Sequence, residues 1–291
     1  MHRSEIAAFL NHKGGVGKTT SVVNLGAGLS IMGNRVLIVD LDPQGHLTNF
    51  LGIDHGAIDK TIYGVLLGEV HPRDAIISKT MNARMLIDGK ESRLALSVIP
   101  STIDLAEAEM VLSNRPDREF LLRRAIGRVA DDYDYVLFDC SPSLGLLSLN
   151  ALAAARKVFI PVQTEYLALS SLESLLSKIE LVMTGLNLDL VIGGLVATRY
   201  DNRKVLSRAV VETLRERFGA LFLETVIREN IALAESPRFG KDIFSYRPRS
   251  YGAEDYLNLS LEIMGRSGAS DHSFPVERGL ETGSAGSFAP V

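Results

Sequence analysis

The chain has 291 residues, 46% hydrophobic and 23% charged, a balance that suits a globular protein with a sizeable core and excludes a low-complexity chain. A formal net charge of −4 excludes a globally basic nucleic-acid binder, so any grip on DNA must come from a local patch. The single cysteine, Cys140, excludes an internal disulfide framework and metal sites built on two or more thiolates, and fits a reducing compartment.

The opening MHRSEIAAFL does not read as a signal peptide, and no uncharged apolar run reaches the ~18 residues of a spanning helix, so a cytoplasmic location is expected. Residues 6–10 read as a first strand and 11–17 as a glycine-rich loop. A helix is expected over 18–32, stopped by Gly33. A second strand, 35–40 (RVLIVD), ends in a carboxylate, and 94–99 is a third. Residues 119–130 place Leu122, Ala125, Ile126 and Val129 at helical spacing and lead into a strand over 133–139 (YDYVLFD). Two more strands follow over 157–162 and 190–197. A helix over 203–218 carries Leu206, Val210 and Leu214 on one face, and a last helix covers 252–264. Short apolar strands alternating with helices predict an α/β fold with a mostly parallel sheet flanked by helices. Residues 266–291 lose this periodicity and are rich in Ser and Gly. They read as a disordered tail behind one domain of residues 1–265.

The strongest motif is Lys13-Gly14-Gly15-Val16-Gly17-Lys18-Thr19-Thr20, set between a strand and a helix. Glycines let the backbone turn several N–H groups towards phosphate oxygens, and the start of the next helix adds its positive end. Lys18 is placed to reach the β- and γ-phosphates, and the Thr19 hydroxyl to ligate Mg²⁺. His12 stands where the usual pattern has its first glycine, and Lys13 is an extra cation, so the loop is a variant form. Two strand ends supply acids. Asp40 and Asp42 lie two residues apart, which in an extended segment directs both side chains to one face. Asp139 closes the apolar strand YVLFD, and reads as the acid on the Mg²⁺ side. A lone strand-end aspartate is more often a cap or turn residue; the neighbouring phosphate loop favours the functional reading.

KGGVGKTT (13–20), DLDPQG (40–45) and FDCSPSLG (138–145) resemble the ParA/MinD superfamily of deviant Walker A ATPases, and within it the Soj-like ParA partition ATPases. ATRYDNRKVLSRAV (197–210) and ENIALAESPRFGKDIFSYRPRSYGAEDYLNL (229–259) extend the likeness over essentially all of 5–265. The resemblance implies a doubly wound phosphate-loop NTPase fold, with ATP and Mg²⁺ as ligands. It also implies slow ATP hydrolysis in a sandwich homodimer that forms on ATP binding. By this likeness Lys13 reaches across the dimer to the partner's nucleotide, Asp42 orients the attacking water, and Asp40 and Asp139 hold Mg²⁺ through its waters. Such a division of labour suits phosphoryl transfer, which needs positioning and charge neutralisation more than covalent chemistry. Where relatives have Ile-Pro-Arg-Asn near the adenine, this chain reads Ile227-Arg228-Glu229-Asn230, and Asn230 is the one residue carried over there.

Residues 199–249 hold eleven Lys/Arg against seven Asp/Glu. Lys204, Arg208 and Arg215 fall opposite the apolar face of the 203–218 helix, and Arg199, Arg203 and Arg228 extend the surface, as Arg238, Arg247 and Arg249 would further on. A solvated helix face would carry similar charges. The resemblance favours instead a patch for nonspecific DNA, doubled in a dimer. It thus implies a nucleoid-associated partition ATPase moving chromosome or plasmid DNA, or another cargo. No helix-turn-helix precedes the loop, so a separate ParB-like adaptor that stimulates hydrolysis is expected. The alternative, a MinD-like switch that places the division site, needs a basic amphipathic anchor at the C-terminus. Residues 266–291 hold only Arg266 and Arg278 as cations, so no membrane partner is expected. An iron–sulfur relative would need at least two cysteines.

Overall fold

The computed structural model describes residues 4–81, 86–87, 90–91, 94–165 and 168–268. In chain order it contains β1 (Glu5–Phe9), α1 (Lys18–Ile31), β2 (Val36–Leu41), α2 (His46–Phe50), α3 (Ile62–Leu67), β3 (Ile77–Met81), the ribbon of β4 (Leu86–Ile87) and β5 (Lys90–Glu91), and β6 (Leu94–Ile99). There follow α4 (Ala108–Leu112), α5 (Leu121–Ile126), β7 (Tyr135–Cys140), α6 (Leu146–Ala154), β8 (Lys157–Gln163), α7 (Ala168–Gly185) and β9 (Val191–Thr198). The last elements are α8 (Val205–Phe218), α9 (Ile231–Glu235), α10 (Ile243–Tyr246) and α11 (Tyr251–Gly268). Seven strands form one sheet in the order β3-β6-β2-β7-β1-β8-β9. Every neighbouring pair is parallel except β3 with β6.

The central strands are continuous apolar runs because both of their faces are covered. Ala8, Leu37, Val39, Val136 and Phe138 alternate onto one face, where α3 to α8 pack. Ala7, Phe9, Val36, Ile38 and Leu137 alternate onto the other, against α1, α2, α9, α10 and α11. Helix α1 lies between the sheet and α11, and a glycine makes that fit possible. A Cβ built on Gly28 would come within 2.3 Å of the Ser260 hydroxyl oxygen on α11. At the sheet's C-terminal edge, where consecutive crossovers wind to opposite faces, the phosphate loop and the strand-end aspartates meet.

Most expected elements form within two residues of their expected limits, and three departures have local causes. The helix expected over 119–130 is α-helical only from Leu121 to Ile126, between 3₁₀ turns at Arg118–Phe120 and Ala130–Asp132. Its first turn is capped from α6, where the buried Asn150 accepts from the Leu122 N–H at 3.0 Å. Leu206, expected on the inner face of its helix, is 48% exposed; Ser207, Val210, Val211 and Leu214 are buried instead. The Ser207 hydroxyl lies 2.7 Å from that of Thr164 and accepts from the Asp201 N–H at 3.1 Å. These bonds set the phase of the first turn and roll Leu206 outward. Lys204 is correspondingly the residue before α8, not within it. Helices α2, α3, α4, α6, α7, α9 and α10, the edge strand β3 and the β4–β5 ribbon were not expected. Helix α11 runs on to Gly268, and residues 269–291, most of the expected tail, lie outside the described residues. No helix among the described residues is long and apolar enough to cross a membrane.

Candidate nucleotide-binding site

Two parallel neighbours hold the start of the phosphate loop. The chain leaves β1 at Phe9, and Leu10 still donates to the Phe159 carbonyl of β8 at 3.1 Å. The buried Asn11 side chain then donates to the Pro161 carbonyl at 2.7 Å, while its Oδ1 accepts from the Lys13 N–H at 3.0 Å. Gly15 and Gly17 adopt φ of 75° and 88°, which only glycine reaches without strain, and Gly17 ends the loop as the residue before α1. The end of β9 pins the loop from beside it, as the Thr198 hydroxyl donates to the Val16 carbonyl at 2.8 Å. A Cβ on Gly14 or Gly15 would meet nothing within 4 Å, so an open cradle lies over the loop. The first-turn N–H groups of the 14-residue α1 close it from below. Thr19 and Thr20 stand in that first turn.

The loop's two lysines lie in different surroundings. Lys18 is buried, 7% exposed, and donates to the Lys13 carbonyl at 3.2 Å. Burial lowers its pKa, and the nearby carboxylates of Asp139 and Asp42 oppose that fall. The Lys13 side chain is 40% exposed, and its ammonium pairs with Glu165 at 2.8 Å, beyond the end of β8. Gln163 donates to the other Glu165 oxygen at 2.6 Å, and the Lys13 contact holds the Glu165 carboxyl below its usual range.

The parallel register of β2 and β7 sets Asp40 opposite Asp139, so adjacent strands bring the two carboxylates together. Their surroundings differ. Asp40 accepts from the Asp42 N–H at 3.1 Å with one oxygen, and from the Thr48 N–H and hydroxyl at 2.9 and 2.7 Å with the other. Burial still raises its pKa to about 6. Both oxygens of Asp139 are buried without a hydrogen-bond partner among the described residues. Its pKa stands well above the carboxylate range, first through burial and then through the Asp40 charge; Thr19 and Lys18 lie on the side that opposes this rise. An orphaned carboxylate beside a lysine and a threonine hydroxyl fits an Mg²⁺ ion held largely by phosphate and water. Asp42 follows β2 in a turn closed by the Gly45 N–H to the Asp42 carbonyl at 2.9 Å. Its own oxygens take the Gln44 N–H at 2.9 Å and lie 3.2 Å from His46 Nδ1.

The other expected residues sit further along the sheet edge. Asn230 caps α9, its Oδ1 accepting from the Ala232 N–H at 2.8 Å. Arg199 and Lys204 share one acid, Glu229, at 3.5 and 2.9 Å. Arg203 pairs with Asp201 at 2.9 Å, and Arg215 with Glu224 at 3.5 Å. Arg208 donates to the Asn202 carbonyl at 2.6 Å. Arg228 is the most engaged: it binds the buried Asp255 and exposed Glu254 of α11, and its guanidinium stands 4.3 Å from the centre of the Tyr251 ring. That geometry ties the 228 segment to α11. Sequence reading missed Asn11, His46, Thr48, Glu165 and Thr198. Only His46 and Thr48 carried a signal, their place just after the second aspartate motif.

A phosphate loop, a desolvated lysine and a buried carboxylate at the C-terminal edge of a parallel sheet define a phosphate-loop nucleotide-binding protein. Residues 4–192 match a family model described as an AAA domain. The chain is 45% identical over 259 residues to the sporulation initiation inhibitor protein Soj of Bacillus subtilis (strain 168), covering 89% of this chain and 98% of the relative. It is 42% identical over 260 residues to the chromosome-partitioning ATPase Soj of Treponema pallidum (strain Nichols), covering 89% and 97%. A crystal structure of cobyrinic acid a,c-diamide synthase from Mycobacterium smegmatis with bound ATP analogue and magnesium superimposes with a TM-score of 0.75. The identity there is 36%, over 90% of this chain and 94% of that one. The chain belongs to the Soj/ParA family of partitioning ATPases.

Proposed function

We propose that this chain, with residues 1–265 as its ATPase domain and 266–291 as a tail, dimerises on binding ATP and Mg²⁺, holds nonspecific DNA on paired basic surfaces, and lets go on hydrolysis. The observation that carries this reading is the contrast between the loop's lysines. Lys18 is buried beside Asp139, suited to its own nucleotide; Lys13 lies outside on Glu165, suited to leave for a second subunit's phosphates. Bound Mg²⁺ would draw off phosphate charge and relieve the Asp40–Asp139 pair. Thr19 would hold it directly and the strand-end acids Asp40 and Asp139 through its waters, while the loop N–H groups of residues 14–20 would cradle the phosphates and Asp42 would orient the water. Asn230 stands near the base. A lysine supplied by the partner makes hydrolysis conditional on assembly, and a ParB-like adaptor stimulating it would set the dwell time on DNA. Work of this kind belongs over the nucleoid, in the cytoplasm.

The cationic stretch of Arg199, Arg203, Lys204, Arg208, Arg215 and Arg228 supports the DNA contact. An amide-transferring reading, suggested by the diamide synthase likeness, would call for a reactive thiolate. Cys140 is buried, and burial pushes its thiol pKa up. Co-sedimentation with DNA and with anionic liposomes, with and without ATP, tests the proposal. Wild type should pellet with DNA only when ATP is present, and Lys204→Glu with Arg208→Glu should abolish retention while ATPase persists. Unaltered retention by that double variant, or pelleting with liposomes alone, would overturn the DNA reading.

A further inference from the structure

The turn after β2 delivers a side chain to Asp42 that the reaction scheme above does not use. Gly45, at φ 61°, swings the chain into α2, so that His46 opens the helix four residues after Asp42. Its Nδ1 comes to 3.2 Å from Asp42 Oδ2, while Oδ1 takes the Gln44 N–H at 2.9 Å. An ionised carboxylate can only accept, so Nδ1 carries the hydrogen in this contact. Two donors, one on each oxygen, fix the plane of the carboxylate and leave each oxygen a lone pair for a water. The imidazole lies on the outer side, 62% exposed against 10% for the Asp42 side chain. His55 backs the turn. Its Nε2 lies 2.8 Å from Asn49 Oδ1, and its ring fills the space over Gly45, where a Cβ would meet Cε1 at 2.7 Å.

We infer that His46 is a positioning residue for hydrolysis, its Nδ1–H holding the Asp42 carboxylate in the orientation that aligns the attacking water. The inference rests on the proposed role of Asp42. Asparagine carries its Nδ2 the same number of bonds from the backbone as histidine carries Nδ1, so it can supply the donor without the ring.

The test is single-turnover hydrolysis at saturating ATP and Mg²⁺, with ATP affinity measured alongside, for wild type, His46→Ala, His46→Asn and Asp42→Ala. His46→Ala should hydrolyse about tenfold more slowly, with ATP affinity unchanged within about twofold, because the lost contact orients the reaction rather than the ligand. His46→Asn should recover to within about threefold of wild type through the retained donor. A wild-type rate for His46→Ala beside an inactive Asp42→Ala would overturn the inference alone. Equal slowing by His46→Ala and His46→Asn would do the same, since the ring and not its donor would then matter. A wild-type rate for Asp42→Ala would overturn the role of Asp42 itself, and the inference with it.

Discussion

Asp139 sets the balance of stability in the site. Burying a carboxylate whose oxygens have no close hydrogen-bond partner among the described residues, with Thr19 only partly offsetting the cost, destabilises the fold, and a proton or a cation relieves it. Its pKa is raised in the folded state, so the fold holds this proton more tightly than the unfolded chain does. Stability is therefore highest below the ordinary carboxylate pKa and falls as pH rises towards the raised one. Asp139→Asn removes the charge and keeps the shape. Thermal unfolding without nucleotide should show the variant melting about 2–4 °C higher than wild type at pH 8, with the gap closing as the pH is lowered to about 4. The same variant should lose the Mg²⁺-dependent part of its ATP affinity. Asp40 differs because Thr48 and the Asp42 N–H satisfy it, and its substitution would break the turn that carries Asp42.

Among the elements, β9 and α11 act on the loop from a distance. The last residue of β9, Thr198, holds the Val16 carbonyl, and a cradle of N–H groups binds phosphate well only if held in shape. Thr198→Val keeps the volume and removes the donor. Calorimetric titration should find ATP binding weakened about three- to tenfold, and the melting temperature should fall by about 2–4 °C, because the same bond braces the fold without nucleotide. Helix α11 meets α1 through Gly28, and α1 carries Lys18 and Thr19 at its other end. Gly28→Ala should destabilise the fold by about 1–3 kcal/mol in urea unfolding, the range for overpacking. Adding Ser260→Ala removes the hydroxyl that the new methyl strikes, and should recover most of the loss, a coupling that a double-mutant cycle reads directly.

At the scale of the whole molecule the net charge of −4 opposes DNA binding, so the proposed patch must work against its surroundings. Within it Glu229 occupies two cations, Arg199 and Lys204, and both contacts hold the Glu229 carboxyl below its usual range. On the proposed reading Glu229→Gln frees Arg199 for phosphate and leaves Lys204 only its longer contact with Asp201, at 3.6 Å. Retention on DNA with ATP should then become tighter at low salt, and the slope of log affinity against log salt steeper by about one to two. Glu216→Gln, an equal charge change at an exposed position of the same region, should leave the slope nearly unchanged.

The loop from Lys13 to Thr20 and the aspartates that end β2 and β7 were readable from residue order because each signal lies within a stretch of a few residues. A glycine spacing, an apolar run ending in an acid and a helical repeat are properties of neighbouring positions, and burial on both faces keeps the strands that carry them apolar throughout. The sequence by itself therefore determined the phosphate chemistry and the alternation of strands and helices. Which side chains complete the site was decided by tertiary contacts alone. Asn11 to Pro161, Lys13 to Glu165 and Thr198 to Val16 join residues 150, 152 and 182 positions apart. The facing of Asp40 and Asp139 depends on the register of two strands separated by most of a hundred residues, and the outward roll of Leu206 depends on Ser207 meeting Thr164. No spacing within one segment encodes such pairings. They are chosen when the sheet closes and each strand end is placed beside whatever its neighbour carries.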